Sequence, residues 1–183
     1  MPIAAKLEET IEIPDEVNIS REGRDITVTG PNGENKKSFP DKRVYIEIDS
    51  DEIRLSVKDP SKREKALLGT YASHMRNMVN GSVEDFEYKL KILYSHFPVK
   101  VRSEGDNVVV ENFVGEQKPR KAKILGDTKV EIQGDIVTVK GPDKEKVAQT
   151  AANIESMTKI KNVDERVFQD GIYLIEKIGK PIR

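Results

Sequence analysis

One pattern occurs twice in this sequence, and the repeat constrains the fold more strongly than any other feature. The first copy, residues 23–31, reads GRDITVTGP, and the second copy, residues 134–142, reads GDIVTVKGP. Glycine, threonine, valine, glycine and proline coincide at five of the nine positions. β-Branched residues favour a strand, whereas the leading glycine and the closing Gly-Pro pair mark turns. The repeat therefore predicts two related domains, each containing a hairpin of short strands.

A helix is predicted after each copy of the repeat. Ser61 and Glu64 have the spacing of a capping box, which marks the start of the first helix. Asp143, directly after Pro142, is the predicted N-cap of the second helix. Gly69 interrupts the first helix at a cost of about 1 kcal/mol relative to alanine, so we expect close packing against the sheet there. Apolar residues recur at helical spacing after each cap: Leu67, Leu68, Tyr71, Met75, Met78 and Val79, and then Val147, Ala148, Ala151, Ile154 and Met157.

Other segments alternate between apolar and polar residues, as half-buried strands do. In Phe86–Ile92 the apolar side chains are predicted to face a core, and Glu87, Lys89 and Lys91 to face solvent or a partner. Further strands are predicted at Val44–Ile48, Ile53–Val57, Val99–Arg102, Val108–Glu111, Lys121–Leu125 and Gly171–Glu176. Runs of strands with one helix, occurring twice, predict an α+β fold: two tandem duplicated domains, each a mainly antiparallel β-sheet packed with one α-helix. We place the domains at residues 1–82 and 83–183, with the boundary near Asn80-Gly81-Ser82.

The residue types exclude several classes of chemistry. The chain has no cysteine and two histidines, which excludes disulfide scaffolds, zinc knuckles and thiol nucleophiles. Neither His74 nor His96 has a second ligand at metal spacing, and no glycine-rich phosphate loop is present. We therefore assign no catalytic residue, cofactor or small-molecule substrate. No apolar run approaches the roughly 20 residues that span a bilayer, and the start of the chain lacks a signal peptide, so a cytoplasmic location is expected.

The distribution of charge matters more than its sum. A formal net charge of -1 speaks against a nucleic-acid partner, which usually meets a basic domain. Residues 1–60 carry 9 basic and 14 acidic groups, however, whereas residues 89–123 carry 8 basic and 4 acidic groups. Phosphate contacts depend on the local density of lysine and arginine. We therefore expect an acidic N-terminal domain that faces solvent or proteins and a more basic C-terminal domain that faces RNA.

Two basic segments are candidate phosphate contacts. Residues 118–123 hold four cations in six positions, and the C-terminal stretch carries further lysines and arginines interleaved with Phe168 and Tyr173. Cations of this kind bind phosphate oxygens, and aromatic rings among them stack on RNA bases. The alternative is that the cations protect a strand edge from pairing with another chain and that both rings lie in the core. The residues alone leave both interpretations open.

Four segments together resemble ribosomal protein L6 of the large ribosomal subunit. They are His74–Gly81, Tyr94–Lys100, Asn112–Glu116 and Arg166–Tyr173. The last segment reads Phe-Gln-Asp-Gly-Ile-Tyr where bacterial members carry Tyr-Lys-Gly-Lys-Gly, so the chain is similar to the archaeal and eukaryotic branch, called L9 in eukaryotes. The resemblance covers nearly the whole chain. It implies two duplicated α/β domains, in agreement with the repeat.

The resemblance also implies a structural, non-enzymatic role in the large subunit. It implies docking on large-subunit rRNA, mainly through the C-terminal domain, near the sarcin–ricin loop and the site of translational GTPases, with other ribosomal proteins as neighbours. The expected rRNA contacts are the cations next to the matched segments: Lys118, Arg120, Lys121, Lys123, Lys159, Lys161, Arg166 and Lys177. The alternative is a non-ribosomal protein-interaction module that uses exposed sheet edges.

Overall fold

A computed structural model of the chain describes residues 6–95, 97–160, 164 and 167–182. The chain divides into two compact units, Met1–Glu84 and Asp85–Arg183. Each unit combines antiparallel strands with one long helix, which confirms the predicted α+β class and its two tandem repeats. The division falls after Glu84 because the first helix includes Asn80-Gly81-Ser82 and ends at Val83.

The elements of the N-terminal unit are β1 (Lys6–Glu12), β2 (Asn18–Glu22), β3 (Asp25–Gly30), β4 (Gly33–Ser38), β5 (Tyr45–Ile48), β6 (Glu52–Lys58) and α1 (Lys62–Val83). The helix packs against two three-stranded sheets, of strand order β1-β6-β5 and β2-β3-β4. Alternation buries Ile26 and Val28 of β3 together with Ile53 and Leu55 of β6. These side chains meet the buried stripe of α1 in one core, as the periodicity predicts.

The elements of the C-terminal unit are β7 (Phe86–Leu93), β8 (Lys100–Glu104), β9 (Asn107–Glu111), a short 3-10 turn (Phe113–Gly115), β10 (Arg120–Lys123), β11 (Lys129–Gln133), β12 (Ile136–Gly141), α2 (Lys144–Met157), β13 (Gly171–Lys177) and β14 (Lys180–Pro181). Helix α2 packs against a five-stranded sheet, of order β11-β12-β7-β13-β14, and a three-stranded sheet, of order β10-β9-β8. Both sheets and α2 contribute buried side chains to one core, among them Leu90, Val108 and Ile154.

Both predicted helix starts are confirmed. The Ser61 backbone N–H donates to Glu64 Oε2 at 2.7 Å, and the Glu64 N–H donates to Ser61 Oγ at 3.4 Å, which closes the capping box. Asp143 Oδ1 accepts from the N–H groups of Glu145 and Lys146 at 2.9 and 3.4 Å. These contacts satisfy donors at the helix N-termini that have no partner within the helix.

The alternation in β7 is also confirmed. Tyr88, Leu90 and Ile92 are buried, whereas the intervening charged residues lie on the opposite face. There Lys140, Glu87, Lys89 and Glu176 form a ladder of ion pairs, with successive N–O distances of 3.0, 3.1 and 3.1 Å. The Lys140 hydrogen bond lowers the pKa of Glu87, and hydrogen bonds to carboxylates raise the pKa values of Lys89 and Lys140. Lys89 and Lys140 are therefore neutralised within this face, whereas Lys91 of the same strand is exposed.

The expectation for Gly69 is wrong. Gly69 is exposed, and a Cβ atom added there would meet nothing within 4 Å. The close approach occurs instead at Gly30, where an added Cβ would lie 2.5 Å from the carbonyl oxygen of Ser82. Asn32, in the turn that follows Gly30, donates its backbone N–H to that same oxygen at 2.9 Å. The turn between β3 and β4 thus caps the C-terminal end of α1, and the missing side chain of Gly30 makes room for it.

Replacing Gly30 by alanine is expected to destabilise the N-terminal unit by about 2 kcal/mol, because overpacking a tight site costs roughly 1–3 kcal/mol. Gly69→Ala is the matched control and is expected to stabilise the same unit by about 1 kcal/mol, since helix propensity improves and the methyl group meets nothing. Urea unfolding followed through the NMR signals of α1 measures both changes. A Gly30→Ala protein as stable as the parent would contradict the contact with Ser82.

The capping box predicts a pH dependence for the N-terminal unit. The Ser61 N–H, the Ser61 hydroxyl and Arg43 lower the pKa of Glu64 from 4.5 to about 2. The stabilisation from Glu64 is therefore complete above pH 4.5 and is lost as the pH falls through about 2. Urea unfolding of α1 across this range should show Glu64→Gln as less stable than the parent at neutral pH, with the difference shrinking in acid. Glu47→Gln serves as the control, and parallel curves for Glu64→Gln and the parent would refute the linkage.

Candidate nucleic-acid interface

The basic segment, residues 118–123, ends in the outermost strand of the three-stranded sheet. Ala122 of β10 points into the core, whereas Lys121 and Lys123 are exposed on the opposite face, as the period of a strand requires. Lys118, just before the strand, is exposed as well. The structure thus directs three of the predicted lysine contacts into solvent.

Helix α2 binds the backbone where β10 ends. Asn153 Nδ2 donates to the carbonyl oxygen of Lys123 at 3.1 Å, and the Leu125 N–H donates to Thr150 Oγ1 at 3.1 Å. These two hydrogen bonds cover the end of the strand edge. Protection of the remaining edge therefore stays the alternative explanation for the exposed lysines.

Arg120 differs from its lysine neighbours because its guanidinium faces inward. Its Nε and Nη2 donate to the two carboxylate oxygens of Glu116 at 2.8 and 2.5 Å. Its Nη1 donates to the carbonyl oxygens of Met157 at 2.8 Å and Lys159 at 3.4 Å, and the guanidinium carbon lies 4.5 Å from the centre of the Phe113 ring. The hydrogen bonds to Arg120 lower the pKa of Glu116, and those to Glu116 raise the pKa of Arg120. Arg120 therefore joins the basic segment to the C-terminal end of α2, where cations are favoured.

This contact decides which predicted residues lie together. Lys159, exposed just beyond α2, is brought to the basic segment because its carbonyl group binds Arg120. Lys177 lies elsewhere: the start of β13 is held at the end of α2 by the Ile172 N–H, which donates to Thr158 Oγ1 at 2.9 Å. Lys177 is exposed at the opposite end of β13, about 20 Å along the strand. Lys161 and Arg166 lie outside the described residues.

Two further cations, Lys100 and Arg102, lie on the sheet face of Lys121 and were not predicted as contacts from the sequence. The strand register aligns Lys121 of β10 with Val109 of β9 and Arg102 of β8, so all three side chains leave the sheet on one side. Lys100 lies two residues before Arg102 and is exposed on that side too. Arg102 also binds Glu104 and Glu111 at 2.8 and 2.9 Å. The alternation of Lys100-Val-Arg102 in the sequence could have indicated that both cations share one side of a strand. Only the strand register shows that this side is the sheet face of Lys121.

Three of the four segments that carry the family resemblance meet in the C-terminal unit. Asp170 Oδ1 accepts from the Ser95 N–H at 2.9 Å, which joins the last segment to the loop after β7. Asn112 Nδ2 donates to the carbonyl oxygen of Pro98 at 3.1 Å, which joins the third segment to the same loop. The hydrogen bond from Ser95 gives Asp170 a structural role directly before β13. The remaining segment lies in α1, where His74 Nδ1 is 3.2 Å from Lys37 Nζ.

The described residues contain no group of three histidine, aspartate or glutamate side chains that could hold a metal ion. Within the same ranges, neither helix is long and apolar enough to cross a bilayer. His96 lies outside the described residues.

Comparison with known proteins links these segments to one family. The family model described as ribosomal protein L6 matches residues 13–82 and 97–171, once in each unit. The large ribosomal subunit protein uL6 of Archaeoglobus fulgidus is 46% identical over 175 residues, which are 93% of this chain and 89% of that protein. The uL6 protein of Methanobrevibacter smithii is 46% identical over 97% of this chain and 99% of its own length. That of Methanosarcina mazei is 47% identical over 92% and 96%, respectively.

Arg120→Ala is expected to destabilise the C-terminal unit by about 2 kcal/mol, because it removes the hydrogen bonds to Glu116 and α2 and the contact with Phe113. Arg120→Lys should recover part of the loss, since an ammonium group keeps the charge but not the planar fork. Lys121→Ala, the neighbouring control, should change stability by less than about 0.5 kcal/mol. Urea unfolding followed by the NMR signals of α2 gives the comparison, and equal stability of the Arg120 and Lys121 variants would exclude the joining role.

Proposed function

This chain belongs to the ribosomal protein L6 family, and from that premise we propose that its C-terminal unit binds large-subunit ribosomal RNA through the face that carries Lys121 and Lys123. The family resemblance read from the sequence is confirmed, and so is the assignment to a structural, non-enzymatic protein of the large ribosomal subunit. That subunit, and this protein with it, lies in the cytoplasm. The single observation that carries the proposal is the outward direction of Lys121 and Lys123, on the face of β10 opposite the buried side chain of Ala122.

The charge of the two units supports this assignment. Residues 1–84 hold 13 basic and 16 acidic groups, whereas residues 85–183 hold 18 basic and 16 acidic groups. The ion-pair ladder of the five-stranded sheet neutralises Lys89 and Lys140, whereas Lys118, Lys121 and Lys123 are exposed within six residues of chain. Lysines that approach phosphates release condensed counterions, and this release favours binding without regard to base identity.

Within this proposal the predicted contacts divide into two roles. Lys118, Lys121, Lys123 and Lys159 are exposed close to one another and bind backbone phosphates. Arg120 holds the surface in place, because its guanidinium binds Glu116 and the carbonyl oxygens at the end of α2. Its pairing with Glu116 leaves it less free to bind a phosphate. Lys161, Arg166 and Lys177 stay predicted contacts, the last of them at a separate point of the surface. Recognition by several cations on a sheet face reads the shape of folded RNA more than the edges of its bases.

We further propose, following the family resemblance, that the contacted rRNA lies near the sarcin–ricin loop and the site of translational GTPases. The more acidic N-terminal unit faces solvent or neighbouring ribosomal proteins, because acidic groups repel phosphate. Hydroxyl-radical footprinting of the large subunit with and without the protein tests this placement. Protection confined to rRNA remote from the sarcin–ricin loop would contradict it.

The double variant Lys121→Ala/Lys123→Ala is expected to weaken rRNA binding and to lower the slope of log affinity against log salt concentration by about 2, because roughly one counterion is released per lysine. The matched control Lys62→Ala/Lys65→Ala removes the same charge from exposed positions of α1 and should leave the slope unchanged. Filter binding of the full chain to a large-subunit rRNA transcript at several salt concentrations measures both. An equal slope for the β10 variant and the parent would exclude this strand from the interface.

Salt-dependent filter binding, together with a salt wash of the large subunit, also tests the alternative of a protein-interaction module. Such a module would bind a protein partner with little salt dependence and would protect no rRNA. Association with the large subunit that resists a moderate salt wash supports the ribosomal role, whereas recovery of the protein only in the ribosome-free fraction would refute it.

A further inference from the structure

We propose that the loop after β7 presents Tyr94 as a stacking surface for one unpaired base of the bound RNA. This inference rests on the proposed function and adds a base-stacking site to its phosphate contacts. We use the name aromatic loop for four described residues: Tyr94, Ser95, Phe97 and Pro98. Its two described rings are strongly exposed, Tyr94 at 46% and Phe97 at 44% of their surfaces.

Hydrogen bonds hold the backbone of the aromatic loop at Ser95 and at Pro98. The buried side chain of Asp170, 6% exposed, accepts from the Ser95 N–H, so the backbone directly after Tyr94 is joined to the segment that precedes β13. Asn112 donates to the Pro98 carbonyl oxygen. An aromatic ring beside a fixed backbone position loses less conformational entropy when it binds than one on a free chain. The bond at Ser95 therefore favours Tyr94 as a binding surface.

The second described ring of the loop lies close to the backbone. Phe97 packs over Gly115, where an added Cβ atom would lie 3.4 Å from the ring, and Gly115 has a φ of 76°, in the left-handed region that favours glycine. The missing side chain of Gly115 therefore makes room for this flat ring.

Tyr94 also lines a cleft of about 430 Å³ between β8 and the turn joining β11 to β12. The cleft has the size of a small-molecule site, with Ile92, Val99 and Ile132 as apolar lining. Lys100 lines the side that continues onto the sheet face of Lys121, and Arg102 there is paired with Glu111. Asp135 supplies a carboxylate acceptor in the same cleft.

This combination fits a single extruded nucleotide. The Tyr94 ring binds the base, Lys100 binds its phosphate, and the Asp135 carboxylate accepts a hydrogen bond from an amino group of the base. Base-paired RNA shows no open aromatic face, so the bound base is one in a loop or bulge. The position of the cleft favours RNA over an apolar protein segment, because its strand β8 belongs to the same sheet as the exposed lysines of β10.

Tyr94→Ala tests the proposal in the full chain bound to a large-subunit rRNA transcript. Loss of one stacked base should weaken affinity by about 5- to 150-fold while the salt slope stays unchanged, because the ring carries no charge. Tyr94→Phe keeps the aromatic face and should bind within about twofold of the parent. Tyr45→Ala removes an exposed tyrosine of the N-terminal unit, 53% exposed, and should have no effect.

Ultraviolet crosslinking of the reconstituted large subunit provides an independent readout, with the crosslink expected at Tyr94 and on an unpaired nucleotide. If the parent protein binds rRNA with a lysine-dependent salt slope but Tyr94→Ala binds equally well, the stacking site is refuted and the proposed function stands. If the parent fails to bind rRNA, the proposed function itself fails. Loss of affinity in Tyr94→Phe would assign the contact to the hydroxyl group and overturn stacking. A Tyr94→Ala protein that binds a ribosomal protein less tightly but binds rRNA as the parent does would also overturn it.

Discussion

The guanidinium of Arg120 joins parts of the C-terminal unit that lie far apart in the chain, and the candidate interface depends on this contact. Glu116 and Phe113 hold it from the segment before β10, and the carbonyl oxygens of Met157 and Lys159 hold it from the end of α2. A planar group with donors on three nitrogens satisfies all these partners at once, which a lysine ammonium does not. This inward-facing cation thereby holds the backbone of Lys159 beside Arg120, next to the exposed lysines of β10.

The structure divides the cations of this chain into two classes. One class is neutralised within the protein, as in the ladder that runs from Lys140 to Glu176 and in the pairing of Arg102 with Glu104 and Glu111. The other class projects into solvent, as Lys121 and Lys123 do. Only the second class adds fully to a phosphate-binding surface, because a cation already paired releases little further free energy on meeting an anion. A net charge near zero is therefore compatible with binding RNA.

Most of the regular structure was predictable because it depends on local patterns. The repeated Gly-Pro ends, the caps at Ser61 and Asp143 and the alternation of β7 all appear where the sequence predicts them. The strands β1 and β4 were missed because each is polar and buries a single side chain, Ile11 or Asn35. Such edge strands form through pairing with β6 and β3, and that pairing leaves no periodic signal in their own residues.

The sequence by itself determined the duplication, the types of element, the helix starts, the family and the local excess of lysine near residue 120. Those properties follow from neighbouring residues in the chain or from recognisable segments. Only the tertiary structure decided that Arg120 faces inward, that Arg102 joins the face of Lys121, that Lys177 lies apart from Lys159 and that Tyr94 stays exposed. These depend on strand register and on contacts between residues distant in the chain, because a side chain's partners are set by which strands and helices pack together.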